Sequence, residues 1–276
     1  QWLQQLIVIL IVSGVLAGVV GRSRRLVRSQ TRAARERTNL ARYFSPNMVE
    51  ALVRSDQPLG RGRSQEIAVL FADIQGFTRL AENEAPERVL DLLREFHRRA
   101  ADEVFAHDGT LDKYIGDAVM ATFGTPARGR RDASNALACA RAMRHAMAAW
   151  SDERRTSGLA PVSIGVGVHF GPAVLGDVGD ERRLEFTVIG DTVNVASRLE
   201  RLTRELRADI VVSQDLVDAV HAESGGKAPD LSGFEPGEAR PIRGRDGLVR
   251  VWTATSTSPG NGGPPFLSAP AVRPIA

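Results

Sequence analysis

A chain of 276 residues, 43% hydrophobic and 25% charged, is long enough to bury a sizeable core as one large domain or two small ones. The formal net charge of +3 is modest. The basic residues show no aromatic interleaving, zinc-ligand spacing or recognition-helix pattern, so nucleic acid is not an expected partner. A single cysteine, Cys139, excludes an internal disulfide and fits a reducing compartment. The five histidines, His97, His107, His145, His169 and His221, have no metal-ligand spacing.

From Leu3 to Val20 the chain carries no charge. As a helix this run spans roughly 27 Å, about one hydrocarbon thickness. Trp2 stands at its interfacial end, and Arg22, Arg24, Arg25, Arg28, Arg32, Arg35 and Arg37 follow it. Residues 1–21 are therefore expected to be a transmembrane helix, in contact with lipid, with everything after it in the cytoplasm. A signal peptide would carry its charges before the apolar run. The start at Gln1 predicts a piece of a longer membrane region, of which this span is the last. This places the protein in the cell (inner) membrane. Residues 22–64 form the expected juxtamembrane helix and linker, and the Ala41–Leu52 stretch within them resembles a signalling helix that passes signals into a following domain. Leu26, Ala33 and Leu40 recur at seven-residue spacing there, Ser45-Pro46 restarts the helix, and a loop runs from Ser55 to Ser64.

The domain expected over residues 65–255 alternates strands and helices. The run Ile67 to Ala72 is strand-like and ends in Asp73, after which Gly76 permits a tight turn into a helix-like segment. A carboxylate at the end of a buried strand, beside free backbone N–H groups at Gln75, Gly76, Phe77 and Thr78, suits a metal bearing phosphates. Pro86 opens a helix with a stripe of Val89, Leu92, Leu93, Phe96, Ala100 and Val104, ending near Gly109. Leu111 to Gly124 reads as a hairpin whose Gly116-Asp117 turn presents a second carboxylate. Were this hairpin paired beside the first strand, Asp73 and Asp117 would reach one end of one sheet, where two carboxylates can hold two Mg²⁺ ions against a triphosphate. Asp132 to Trp150 is helical, with Ala136, Ala140, Met143, Met147 and Trp150 as its core stripe. Val162 to Phe170 reads as a strand, and Ala173 to Val178 is expected to pair back against it. In the run Leu184 to Glu200, Asn194 and Arg198 are four apart and share a helix face. A strand at Asp209 to Ser213, a short helix to Val220 and strands near Ala239–Ile242 and Leu248–Ala254 complete the domain. Residues 256–276 are rich in Pro, Gly and Ser and read as a disordered tail.

Three of these stretches together, Ile67 to Thr78, Leu111 to Gly124 and Leu184 to Glu200, resemble the class III nucleotidyl cyclases in content, order and separation, over roughly Glu66 to Ala254. The resemblance implies an α+β, ferredoxin-like (palm-like) sandwich with helices over a mostly antiparallel sheet. It implies an adenylate cyclase, a phosphorus–oxygen lyase making cyclic AMP and pyrophosphate from ATP. Asp73, Asp117 and the carbonyl of Ile74 match the ligands of two divalent cations, Mg²⁺ or Mn²⁺. Lys113 matches the base-reading lysine and Thr187 its partner. A lysine ammonium only donates, so it suits adenine N1 and not the protonated N1 of guanine. Asn194 and Arg198 match the residues that orient the ribose and stabilise charge on the α-phosphate. Arg243 and Arg245 resemble the late basic residue on the terminal phosphates. Pro172 departs from relatives that carry Arg there, which shifts phosphate binding toward those late arginines. The family builds each site from two domains packed head to tail, so one copy of each motif implies a homodimer. A guanylate cyclase and a catalytically silent nucleotide-binding sensor are the competing readings.

Overall fold

The computed structural model describes residues 1–2, 62–180, 183–225, 228, 230–241 and 247–255. The expected membrane span, nearly all of the juxtamembrane segment, Arg243, Arg245 and the tail lie outside the described residues. Among those described, no helix is long and apolar enough to cross a membrane.

In chain order the elements are β1 (Arg63–Ile74), α1 (Phe77–Glu82), α2 (Pro86–Ala106), β2 (Thr110–Ile115), β3 (Ala118–Phe123), α3 (Asp132–Thr156), β4 (Ile164–Asp180), β5 (Arg183–Ile189), α4 (Asp191–Leu206), β6 (Ile210–Ser213), α5 (Gln214–Glu223), β7 (Glu235–Pro241) and β8 (Leu248–Ala254). The strands form one sheet in the order β2-β3-β1-β4-β6-β8-β7, with β5 paired to β4 outside that path. Every pairing is antiparallel except β4 with β6. The expected α+β architecture with a mostly antiparallel sheet is present.

Alternation along β1 decides how the sheet is covered. Ala68, Leu70, Ala72 and Ile74 enter a core with Leu92 and Phe96 of α2, Met143 and Met147 of α3, and Leu216 of α5. Ile67, Val69 and Phe71 point to the other face and meet Ala196 of α4. Helices α2, α3 and α5 thus cover one face, and α4 covers the opposite one.

Two expectations about boundaries are corrected. Ala173–Val178 does not fold back on Val162–Phe170; β4 is one strand of 17 residues. The strand continues because β1 supplies a ladder along the whole stretch, from Ile74 opposite Ile164 to Arg63 opposite Leu175. The return strand is β5, with Val174 opposite Ile189 and Gly176 opposite Thr187. The same ladder draws Arg63 and Ser64 out of the expected loop and into β1.

Glycine sets the height at which α4 crosses β4. A Cβ at Gly167 would lie 2.1 Å from the backbone nitrogen of Glu200, and one at Gly165 would lie 2.2 Å from Thr203 Oγ1. Only glycine lets helix and strand backbones approach this closely. That approach lowers Glu200 and Arg204 onto the end of β1.

Candidate active site

The end of β1 carries Asp73, opposite Gly165 of β4 and Ala118 of β3. The hairpin tip carrying Asp117 is pinned beside it, because the Ile74 N–H donates to the Asp117 carbonyl at 3.3 Å. The turn is formed by Gly116 in the left-handed region (φ 63°). From α2, His97 holds the same turn: its Nε2 lies 3.1 Å from the Gly116 carbonyl and its ring stacks on Tyr114 at 4.2 Å between centroids. The two carboxylates expected to meet at one sheet end do so.

Electrostatics at this point are strained. Burial, and then the neighbouring Asp117 carboxylate, push the Asp73 carboxyl up to about 6 against the pull of Arg204. Glu200 stands behind it and is pushed up to about 7 by burial first and the Asp73 charge second. Arg204, near the C-terminal end of α4, donates through Nη2 to Asp73 Oδ2 and lies 3.6 Å from Glu200 Oε1. Among the described residues, Asp73 Oδ1 and Glu200 Oε1 are buried without a hydrogen-bond partner. An orphaned carboxylate oxygen beside a second carboxylate fits a divalent cation, with Asp73 and Asp117 as ligands. No group of three or more His, Cys, Asp or Glu side chains able to hold a metal occurs among the described residues. Two carboxylates leave positions on such a cation for backbone, water or phosphate oxygens.

At the start of α1, Gly76 has φ 71°. The Gln75 N–H donates to the Ser163 carbonyl at 2.9 Å, so the expected backbone donors to phosphate narrow to Gly76, Phe77 and Thr78.

A second cluster lies elsewhere on the chain. Thr187 Oγ1 of β5 donates to Asp112 Oδ2 at 3.1 Å, and Lys113 Nζ is 3.5 Å from the same oxygen. Lys113 and Thr187, expected to act together, are thus brought together through Asp112, whose side chain is only 5% exposed.

Asn194 and Arg198 lie one turn apart in the N-terminal half of α4, Asn194 exposed and Arg198 half-buried. Among the described residues neither has a hydrogen bond or ion pair to Asp73 or Asp117, and Arg198 Nη1 is buried without a hydrogen-bond partner. Arg204 lies six residues beyond Arg198, roughly 9 Å along the helix axis. Among the described residues, the carboxylates of Asp73 and Asp117 and the Asn194–Arg198 pair are therefore separate clusters.

Sequence reasoning missed Asp112, Glu200 and Arg204. The Gly165-x-Gly167 spacing on a strand was a readable sign of close helix approach, and Glu200 and Arg204 have the four-residue spacing of a pair on one helix face.

A conserved-domain model described as the adenylate and guanylate cyclase catalytic domain matches residues 60–237. The chain belongs to that family. It is 33% identical over 213 residues to adenylate cyclase 1 of Rhizobium meliloti (strain 1021), covering 77% of this chain and 31% of that protein. The chain spans between 31% and 42% of the length of curated relatives it matches. Among solved structures, the adenylyl cyclase CyaB from P. aeruginosa superposes with a TM-score of 0.63 at 27% identity, over 72% of this chain and 98% of that one. The guanylyl cyclase Cya2 superposes with a TM-score of 0.61 at 29% identity, over 70% and 93%.

Proposed function

We propose that this domain is an adenylate cyclase, converting ATP to 3′,5′-cyclic AMP and pyrophosphate by attack of the ribose 3′-hydroxyl on the α-phosphate. The observation that carries the choice of ATP is the pairing of Lys113 with Thr187 at one place on the chain. An ammonium donor there suits adenine N1 and opposes the N1–H of guanine. Asp73, Asp117 and the Ile74 carbonyl would hold two divalent cations, Mg²⁺ or Mn²⁺, which neutralise the triphosphate and lower the pKa of the attacking hydroxyl. The N–H groups of Gly76 to Thr78 face the phosphates, Asn194 orients the ribose, and Arg198 stabilises charge developing on the α-phosphate. Arg243 and Arg245 would take the terminal phosphates. The test is purified protein with ATP or GTP and either cation, analysed for cyclic product. Cyclic GMP as the main product overturns the choice of base.

We further propose that the active unit is a head-to-tail homodimer. The support is the separation of Asp73 and Asp117 from Asn194 and Arg198 within one chain, and the unsatisfied Arg198 Nη1. Each site then takes its carboxylates from one protomer and Lys113, Thr187, Asn194 and Arg198 from its partner. The uncharged run Leu3 to Val20 and the arginines after it support anchoring to the inner membrane with the domain on the cytoplasmic side. Release of the chain from membranes by salt alone would overturn that anchoring.

A further inference from the structure

Successive residues of a strand point to opposite faces, so Asp112 and Lys113 should diverge. They do not, because β2 bulges between Leu111 and Lys113: Leu111 pairs with Ala121 and Lys113 with Met120, which leaves Asp112 as the extra residue. The bulge turns the Asp112 carboxylate to the side of the Lys113 ammonium, 3.5 Å away, and places the same oxygen 3.1 Å from the Thr187 hydroxyl. With a side chain 5% exposed, Asp112 is in place before any ligand arrives.

The chemistry of this contact has a direction. A hydroxyl has one proton to donate and two lone pairs. A carboxylate only accepts, so the Thr187 proton is committed to Asp112 and the hydroxyl can only accept from anything else. Lys113 can only donate. A free threonine would be indifferent to base identity, donating to the O6 of a 6-oxopurine as readily as it accepts from the amino group of a 6-aminopurine. Tied to Asp112, it presents a lone pair to the 6-position and opposes an oxygen there.

We propose that Asp112 is a specificity-determining positioning residue. By holding the Thr187 proton it makes the Lys113–Thr187 pair one donor and one fixed acceptor, the complement of a 6-aminopurine edge. This inference rests on the reading that ATP is the substrate and names the device that excludes GTP. Asp112 itself does not touch the base.

The test compares kcat/KM for ATP and GTP in the wild type, Asp112→Ala, Asp112→Asn, Thr187→Val and the Asp112→Ala/Thr187→Val double variant. Discrimination by one hydrogen-bonding group is about tenfold or more. Asp112→Ala should lower the ATP/GTP ratio by about that factor, through improved relative use of GTP. A purely structural role would depress both nucleotides alike. Asp112→Asn keeps an acceptor for the hydroxyl at the same size and should retain most of the selectivity. In the Thr187→Val background, Asp112→Ala should change the ratio no further, because there is no proton left to hold. An unchanged ratio in Asp112→Ala, or an equal change with and without the hydroxyl, overturns the proposal. So does a folded Asp112→Asn as unselective as Thr187→Val, which keeps the test decisive if the alanine variant does not fold. A wild type that prefers GTP removes the ATP reading and this inference together. An ATP-preferring wild type with an unchanged Asp112→Ala ratio removes only the inference.

Discussion

Arg204 gives the cleanest expectation at the scale of single residues. Its guanidinium satisfies Asp73 Oδ2, so an arriving cation must compete with a charge already there. The pair is half-exposed on the arginine side, which limits its worth to about 1 kcal/mol. Arg204→Ala should therefore tighten Mn²⁺ binding by up to about fivefold, read by titration of the metal ion without nucleotide. Unchanged or weaker binding would show that the arginine does not obstruct the site. Asp73→Ala or Asp117→Ala should each abolish turnover in a folded protein, with the double variant no worse, because the carboxylates act as one unit. Full turnover in Asp73→Ala would sink the metal assignment. The buried acids also predict a pH dependence. Asp73 and Glu200 titrate at about 6 and about 7 when folded, against ordinary values of 3.8 and 4.5. The folded chain thus holds more protons across that window, and this contribution is complete below the ordinary values and lost as pH rises through the folded ones. The metal-free melting temperature should fall between about pH 4.5 and about pH 7.5. Glu200→Gln should flatten that fall and raise the melting temperature at about pH 8, by an amount corresponding to roughly 1–3 kcal/mol. A Glu200→Gln protein with the wild-type slope would exclude Glu200 as its source.

Among the elements, the crossing of α4 over β4 is the one the site depends on. Gly167→Ala would drive a methyl group into the Glu200 backbone, and neither strand nor helix backbone can yield cheaply. A loss of roughly 2–4 kcal/mol or more is expected in urea denaturation. Gly247→Ala, where a new Cβ meets nothing within 4 Å, is the control and should be nearly neutral. Equal stability of the two variants would mean that the crossing is not tight. The same crossing explains what could be read from the chain directly and what could not. Asp73, Asp117, Asn194 and Arg198 each sit in a short run whose own pattern announces a strand end, a tight turn or a helix face. Asp112 gained its meaning only from a bulge in the ladder to β3, and Arg204 only from the height at which α4 rests on two glycines. Both depend on partners distant in sequence. The hairpin expected between Val162–Phe170 and Ala173–Val178 failed for the same reason: β1, distant in sequence, supplies the ladder across both segments.

For the whole molecule, the decisive experiment is complementation. Asp73→Ala and Arg198→Ala chains should each be nearly inactive, yet when mixed they form heterodimers with one doubly damaged and one intact site. Random pairing makes half the dimers mixed, so about a quarter of wild-type activity should return. A mixture that stays inactive, although exchange of chains is demonstrated, would place each site within one protomer. The β4–β5 arm adds a consequence. Thr187 and Ile189 are two apart on β5 and so share a face, and the register sets Val174 opposite Ile189. Val174 and Ile189 are exposed, at 46% and 54%. The ribbon with this exposed apolar surface is therefore also the one that carries the Thr187 hydroxyl. In the proposed homodimer closed over that ribbon, one surface would serve both assembly and recognition: dilution would cost the protein its rate, while the dimers that remain would keep their ATP/GTP ratio.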